Sequence, residues 1–113
     1  MFSKELVRCL SELEEIDKVK GKKRIELLKK HSNRKCFYLI LRELAHNIAI
    51  KSIKIPPRAT KKLFHHRIVT RKLVKGVKGV SNKKKLITQS GGFLAAVLPF
   101  ILPLLSTAIN AAI

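Results

Sequence analysis

The chain has 113 residues, room for one small domain, and carries 25 Lys or Arg against 7 Asp or Glu for a formal charge of +18. A compact monomer of that charge repels itself, so a polyanion is the expected counterpart, nucleic acid first and anionic membrane second. Cys9 and Cys36 stand alone without a CxxC spacing, which reads as buried free thiols in a reducing compartment, with a disulfide as the alternative, and the acidic, polar start "MFSKELVRCLSELEE" does not have the pattern of a signal peptide.

In chain order, Ser3 is placed to cap a helix beginning at Lys4. Leu6, Leu10, Leu13 and Ile16 then recur at three and four residues, as one buried helix face requires, with Cys9 at its border. Gly21 interrupts. "RIELLKKH" predicts a short helix with Ile25 and Leu28 inward and cations in its last turn. Asn33 is placed to cap the next helix, which carries Phe37, Ile40, Leu41, Leu44 and Ile48 at 3.6 spacing and ends near Lys51.

Pro56 and Pro57 forbid its continuation. A further helix is expected from Pro57 or Arg58 through "ATKKLFHHRIVTRKLV", with Leu63, His66 or Arg67, Val69 or Thr70, and Leu73 on one face. "KGVKGVS" bends or frays, Ser81 is placed to cap a short basic turn "NKKKLIT", and "SGG" forms a flexible joint before the tail. The expected fold is all-α: a small helical cluster with a basic helix and a C-terminal hydrophobic helix. It divides into a helical region (1–50), a basic segment (51–90) and a hydrophobic tail (91–113).

Charge follows the same division. Every acidic residue lies at or before Glu43, whereas Leu44 to Lys85 holds thirteen cations and no acid. The expected nucleic-acid contacts are Lys61, Lys62, Arg67, Arg71, Lys72, Lys75, Lys78, Lys83, Lys84 and Lys85. Each cation that neutralises a phosphate releases condensed counterion, so binding falls steeply with salt. Most are Lys, a point charge rather than the bidentate fork that reads guanine, which points away from base readout. Phe64 is the one aromatic ring of Phe, Tyr or Trp type between Leu44 and Leu86, too few for a single-strand stacking platform, so sequence-independent duplex binding fits best. His65 and His66 point about 100° apart on a helix and cannot share a metal. His31 and His46 have no ligand spacing, and no nucleophile, base and orienter stand together. No catalytic, metal or cofactor site and no small-molecule substrate is expected.

The tail from Phe93 to Ile113 has no charged side chain. At 1.5 Å per residue, its 21 residues reach about 30 Å as a helix, one hydrocarbon thickness, and "KKK" before it suits the cytosolic side. Pro99 and Pro103 each remove a backbone donor on one helix face, and "STAINAA" is only weakly apolar. Three readings stay open: a transmembrane anchor, a kinked membrane-active helix, or a buried packing helix. The residues concerned are Phe93, Leu94, Val97, Leu98, Pro99, Phe100, Ile101, Leu102, Pro103, Leu104 and Leu105.

"QSGGFLAAVLPFILPLL" resembles the C-terminal end of the adenovirus core protein X family, the precursors of the DNA-condensing mu peptide. The ordered set of Leu41 to Ile48, Lys61 to Leu73 and Lys83 to Leu94 is similar to X-type core proteins of adintoviruses and Maverick/Polinton elements. The resemblance spans roughly residues 38 to 105. It implies a virion-core protein that packs double-stranded DNA, found in the virion and host nucleus, with capsid proteins and a maturation protease as further partners. "KGKKR" and "NKKKL" would then serve nuclear import. The family's protease prefers an aliphatic residue or Met, any residue, then Gly-Gly. Here Gln89 departs from the aliphatic position while Gly91 and Gly92 agree, which makes the bond before Phe93 the implied cleavage site. The chain also departs from mu in its Lys-rich composition and helical N-terminal region. The competing expectation is a tail-anchored or membrane-active protein with a cationic cytosolic part.

Overall fold

Ser3 opens the first helix as its side-chain chemistry predicts: its hydroxyl accepts from the Leu6 amide at 3.1 Å. A computed structural model describes residues 3–32, 34–50 and 54–112. Asn33, the expected cap of the fourth helix, lies outside the described residues, as does Lys51. Among the described residues the fold is all α-helical, with eight helices and no strand. They are α1 (Lys4–Arg8), α2 (Leu10–Lys18), α3 (Lys22–His31), α4 (Lys35–Ala49), α5 (Pro57–His65), α6 (Arg67–Lys75), α7 (Val80–Gln89) and α8 (Gly91–Ala112).

The helical stripes bury as their periodicity requires. Leu6, Leu13 and Ile16 from α1–α2, and Phe37, Ile40, Leu41 and Leu44 from α4, enter one core with Leu28, Leu73, Leu86, Ile87 and the apolar row of α8. In α3 the expectation is half corrected. Leu28 is buried, but Ile25 stays 43% exposed. The inward row is instead Arg24, Leu28 and His31, and the Arg24 Nε donates to the Ile16 carbonyl at 3.3 Å.

Two helices expected as continuous are broken. α1 gives way to α2 at Cys9, and α5 to α6 at His66, neither a glycine nor a proline. The second break has a packing reason. α5 lies on α8 while α6 lies on α4, and one straight helix could not do both. Pro57 takes the first turn of α5, where its missing N–H costs nothing. The glycine-rich turn after α6 bends as expected, with Gly76 at φ 82° and Gly79 at φ 91°.

α8 is the core helix. Phe93, Val97, Ile101 and Leu105 form a row at i, i+4, i+8 and i+12, with Leu94 and Leu98 beside it, and all six are fully buried. They pack mainly on α2 and α5. Pro99 and Pro103 sit on the opposite, exposed face, and the helix runs through both. The Gly pair is a packed junction rather than a loose joint. α7 ends at a buried Ser90, whose hydroxyl donates to the Ile87 carbonyl at 2.6 Å, and α8 starts at the next residue, bent by 62°. Gly92 is required by close approach, because any side chain there would collide with the His66 ring. The radius of gyration, 13.2 Å, is that of a folded chain of this length.

Candidate nucleic-acid interface

The basic segment is held to the core by two side chains of α4. Arg42 donates from Nε to the Leu73 carbonyl at 3.0 Å and from its terminal nitrogen to the Val74 carbonyl at 3.1 Å. A guanidinium thus caps the C-terminal end of α6, where the orphan carbonyls and the negative end of the helix dipole favour a cation. Its side chain also lies against Gly76, so a Cβ there would crowd it as well as strain the positive φ. Tyr38 pins the next residues: its hydroxyl accepts from the Val77 amide at 2.9 Å. Arg42→Ala is expected to cost about 1–3 kcal/mol, because it leaves two half-buried carbonyls without their charged donor. Urea unfolding checks this, and Arg42→Lys should recover only part of the loss, since an ammonium cannot present the same fork.

On this frame the ten expected cations stand outward. Lys61 and Lys62 on α5, Arg67, Arg71, Lys72 and Lys75 on α6, Lys78 in the turn, and Lys83, Lys84 and Lys85 on α7 are all exposed. Arg67, Arg71 and Lys75 follow at i, i+4 and i+8, one line along α6. Among the described residues the one ion pair is Arg34 with Glu12 at 3.1 Å, on α4's entry and α2, so none of the ten is neutralised by a described acid. Two are oriented by rings: the Arg67 guanidinium lies 4.5 Å from the Phe64 centroid, and the Lys83 ammonium 5.2 Å from that of Tyr38. Arg58, an exposed cation one turn before Lys61 and Lys62, belongs to the same surface. In the sequence its position beside Pro57 marks it as a helix start, while its place in the acid-free run is the signal for this second role.

Of the tail residues, Phe93, Leu94, Val97, Leu98, Ile101 and Leu105 are buried, Phe100 and Leu102 are half-buried, and Pro99, Pro103 and Leu104 are exposed. The bond between Gly92 and Phe93 lies in the first turn of α8 with Phe93 fully buried, so a protease reaches it only when the chain opens. Among the described residues no single helix is long and apolar enough to cross a membrane, although Val80–Gln89 and Gly91–Thr107 would pass together as a bent pair. No group of three or more His, Cys, Asp or Glu among the described residues could hold a metal ion.

Both cysteines are free, Cys9 buried and Cys36 half-buried, and burial, then Glu12, then the neighbouring Cys36 push the Cys9 thiol up. His31 is buried, stacks on Phe37 with ring centroids 5.2 Å apart, and leaves Nε2 without a partner. Burial first, then Arg34, hold its pKa below the ordinary histidine value, and Glu12 and Glu15 only partly oppose them. Its folded pKa is lowered, so the unfolded chain takes up the proton first. Stability is therefore expected to be constant above about pH 6.5 and to fall as pH drops from there through the folded value. His31→Phe should flatten the fall of the denaturation midpoint below about pH 6.5. An unchanged slope in that variant would assign the pH dependence to other groups. Compared with protein-family models, with curated proteins and with solved structures, the chain matches none.

Proposed function

We propose that this chain is a core protein of a virus or virus-like element that binds and packages double-stranded DNA without sequence specificity, as its resemblance to the X-type core proteins implies. The observation that carries the reading is the surface of α5, α6 and α7: ten exposed cations in sequence, none paired with a described acid. An isolated surface cation is worth little, but a dense set facing a polyphosphate gains through release of counterions at each phosphate. The exposed cations are mostly Lys, without the bidentate fork that reads bases, which suits packaging. The reading is of a binding protein, not an enzyme, with capsid proteins and a maturation protease as further partners in the virion and nucleus. Processing after Gly92 then acts on an opened chain, before folding or during assembly.

The membrane reading keeps one specific observation, the bent pair of α7 and α8. Against it, the apolar row of α8 is already covered by α2 and α5 of its own chain. The test compares full-length protein on two duplexes of equal length and opposite base composition, and on anionic vesicles floated after a carbonate wash. Equal affinity for both duplexes and loss from the vesicles supports DNA packaging. Retention on washed vesicles with weak duplex binding overturns it in favour of an integral membrane protein.

A further inference from the structure

We propose that Phe64 and Ile68 form an apolar wedge that enters between base pairs of bound duplex DNA; this deepens the DNA-binding reading above and rests on it. The two side chains are four residues apart at the corner where α5 meets α6, and they are 62% and 63% exposed. Their helices bury other residues: Ala59 and, in part, Leu63 from α5, and Leu73 with part of Val69 from α6. Two large apolar side chains are thus turned out into the most cationic part of the molecule, beside Lys61, Arg67, Arg71 and Lys72. Leaving them in water forgoes the gain of burial, and a bound partner that covers them recovers it.

The charge around the pair selects the partner. A protein surface able to seat Phe64 and Ile68 would also have to be strongly acidic, whereas duplex DNA offers phosphates outside and apolar base faces within. Apolar wedges flanked by Arg or Lys unstack base steps in this way, entering from the minor groove and kinking the duplex. Arg67 fixes the ring for that role. Its guanidinium lies 4.5 Å from the Phe64 centroid while a terminal nitrogen donates to the Phe64 carbonyl at 3.2 Å, so one ring face carries a cation and the side chain is held. Thr60, Leu63, Thr70 and Arg71 complete a shallow groove of about 250 Å³ beside the ring. Such a wedge needs no particular sequence, because every base step has faces to part.

The experiment uses the full chain, which contains no tryptophan. Phe64→Trp therefore carries a single reporter, and Ser11→Trp, exposed on α2 among Glu12, Glu14 and Glu15, is the control. Saturating duplex should quench the fluorescence at position 64 and leave that at position 11 unchanged. Phe64→Ala should lose about 5- to 100-fold in duplex affinity at fixed salt, the range of one base–aromatic stack, with the salt slope unchanged. Both positions are exposed, so neither variant threatens the fold. Steep salt-dependent binding with no quenching at position 64, or Phe64→Ala binding as tightly as the parent, overturns the wedge and leaves the phosphate-binding surface standing. Quenching by single strands but not by duplex overturns it in favour of a stacking site for unpaired bases. Absence of duplex binding by the parent chain fails the DNA reading itself, and the wedge with it.

Discussion

Removing residues 93–113 is expected to abolish cooperative folding of the chain. The six fully buried side chains Phe93, Leu94, Val97, Leu98, Ile101 and Leu105 supply the middle of the core. At about 1.5–3 kcal/mol for each large apolar side chain, their burial amounts to on the order of 10 kcal/mol. A small domain's whole net stability is about 5–15 kcal/mol. The shortened chain would also expose Leu13, Ile16 and Leu28, which α8 and its neighbours now cover. Circular dichroism during urea unfolding should show a sigmoidal transition for the full chain and a broad, midpoint-free decline for residues 1–92. Leu98→Ala within the full chain should cost about 2–5 kcal/mol and retain a single transition. A sharp transition in the truncated chain would mean that the N-terminal helices hold a sufficient core alone. The consequence for processing is direct: a cut after Gly92 leaves the two parts held by non-covalent packing, and loss of the tail then dismantles the frame that presents the basic helices.

Neutralising Lys83, Lys84 and Lys85 together as glutamines is expected to lower the slope of log affinity against log salt by about 2–3, roughly 0.9 for each phosphate left without its cation. The three are exposed on α7, and of these only Lys83 touches a ring, so the fold should tolerate the change. Bulk charge alone would give the same loss wherever three cations were removed. The comparison is therefore Lys4, Arg8 and Lys18 as glutamines, exposed on the helices that also carry Glu5, Glu12, Glu14, Glu15 and Asp17. That variant should keep most of the parent slope. Equal reductions in the two triple variants would show a diffuse charge effect rather than a surface built by α5, α6 and α7.

What the sequence made legible was local. The α1–α2 and α4 stripes, the Ser3 cap, Pro57 in the first turn and the glycine turn at 76–79 follow from side-chain spacing and backbone preference, and each needs only its neighbours in the chain. The exposed basic surface was legible for the same reason, since thirteen cations with no acid cannot be buried. The breaks at Cys9 and His66 were not, because they serve packing on different partner helices and leave no breaker residue. The role of Arg42 was not, because it depends on α6 ending beside it, about thirty residues away in sequence. The Gly pair could be seen as punctuation, but the requirement at Gly92 comes from the His66 ring across the fold. Composition alone also left open whether the apolar tail meets lipid or its own chain. Burial against α2 and α5 supplies the second environment.

The central claim is that the exposed cations of α5–α7 bind duplex phosphate. The most direct measurement is the affinity of the full chain for random-sequence duplex DNA across salt. The account predicts a linear fall of log affinity with log salt corresponding to about six or more neutralised phosphates, a drop on the order of a thousandfold between about 50 and 200 mM. A shallow slope, with weak binding already at low salt, would contradict it.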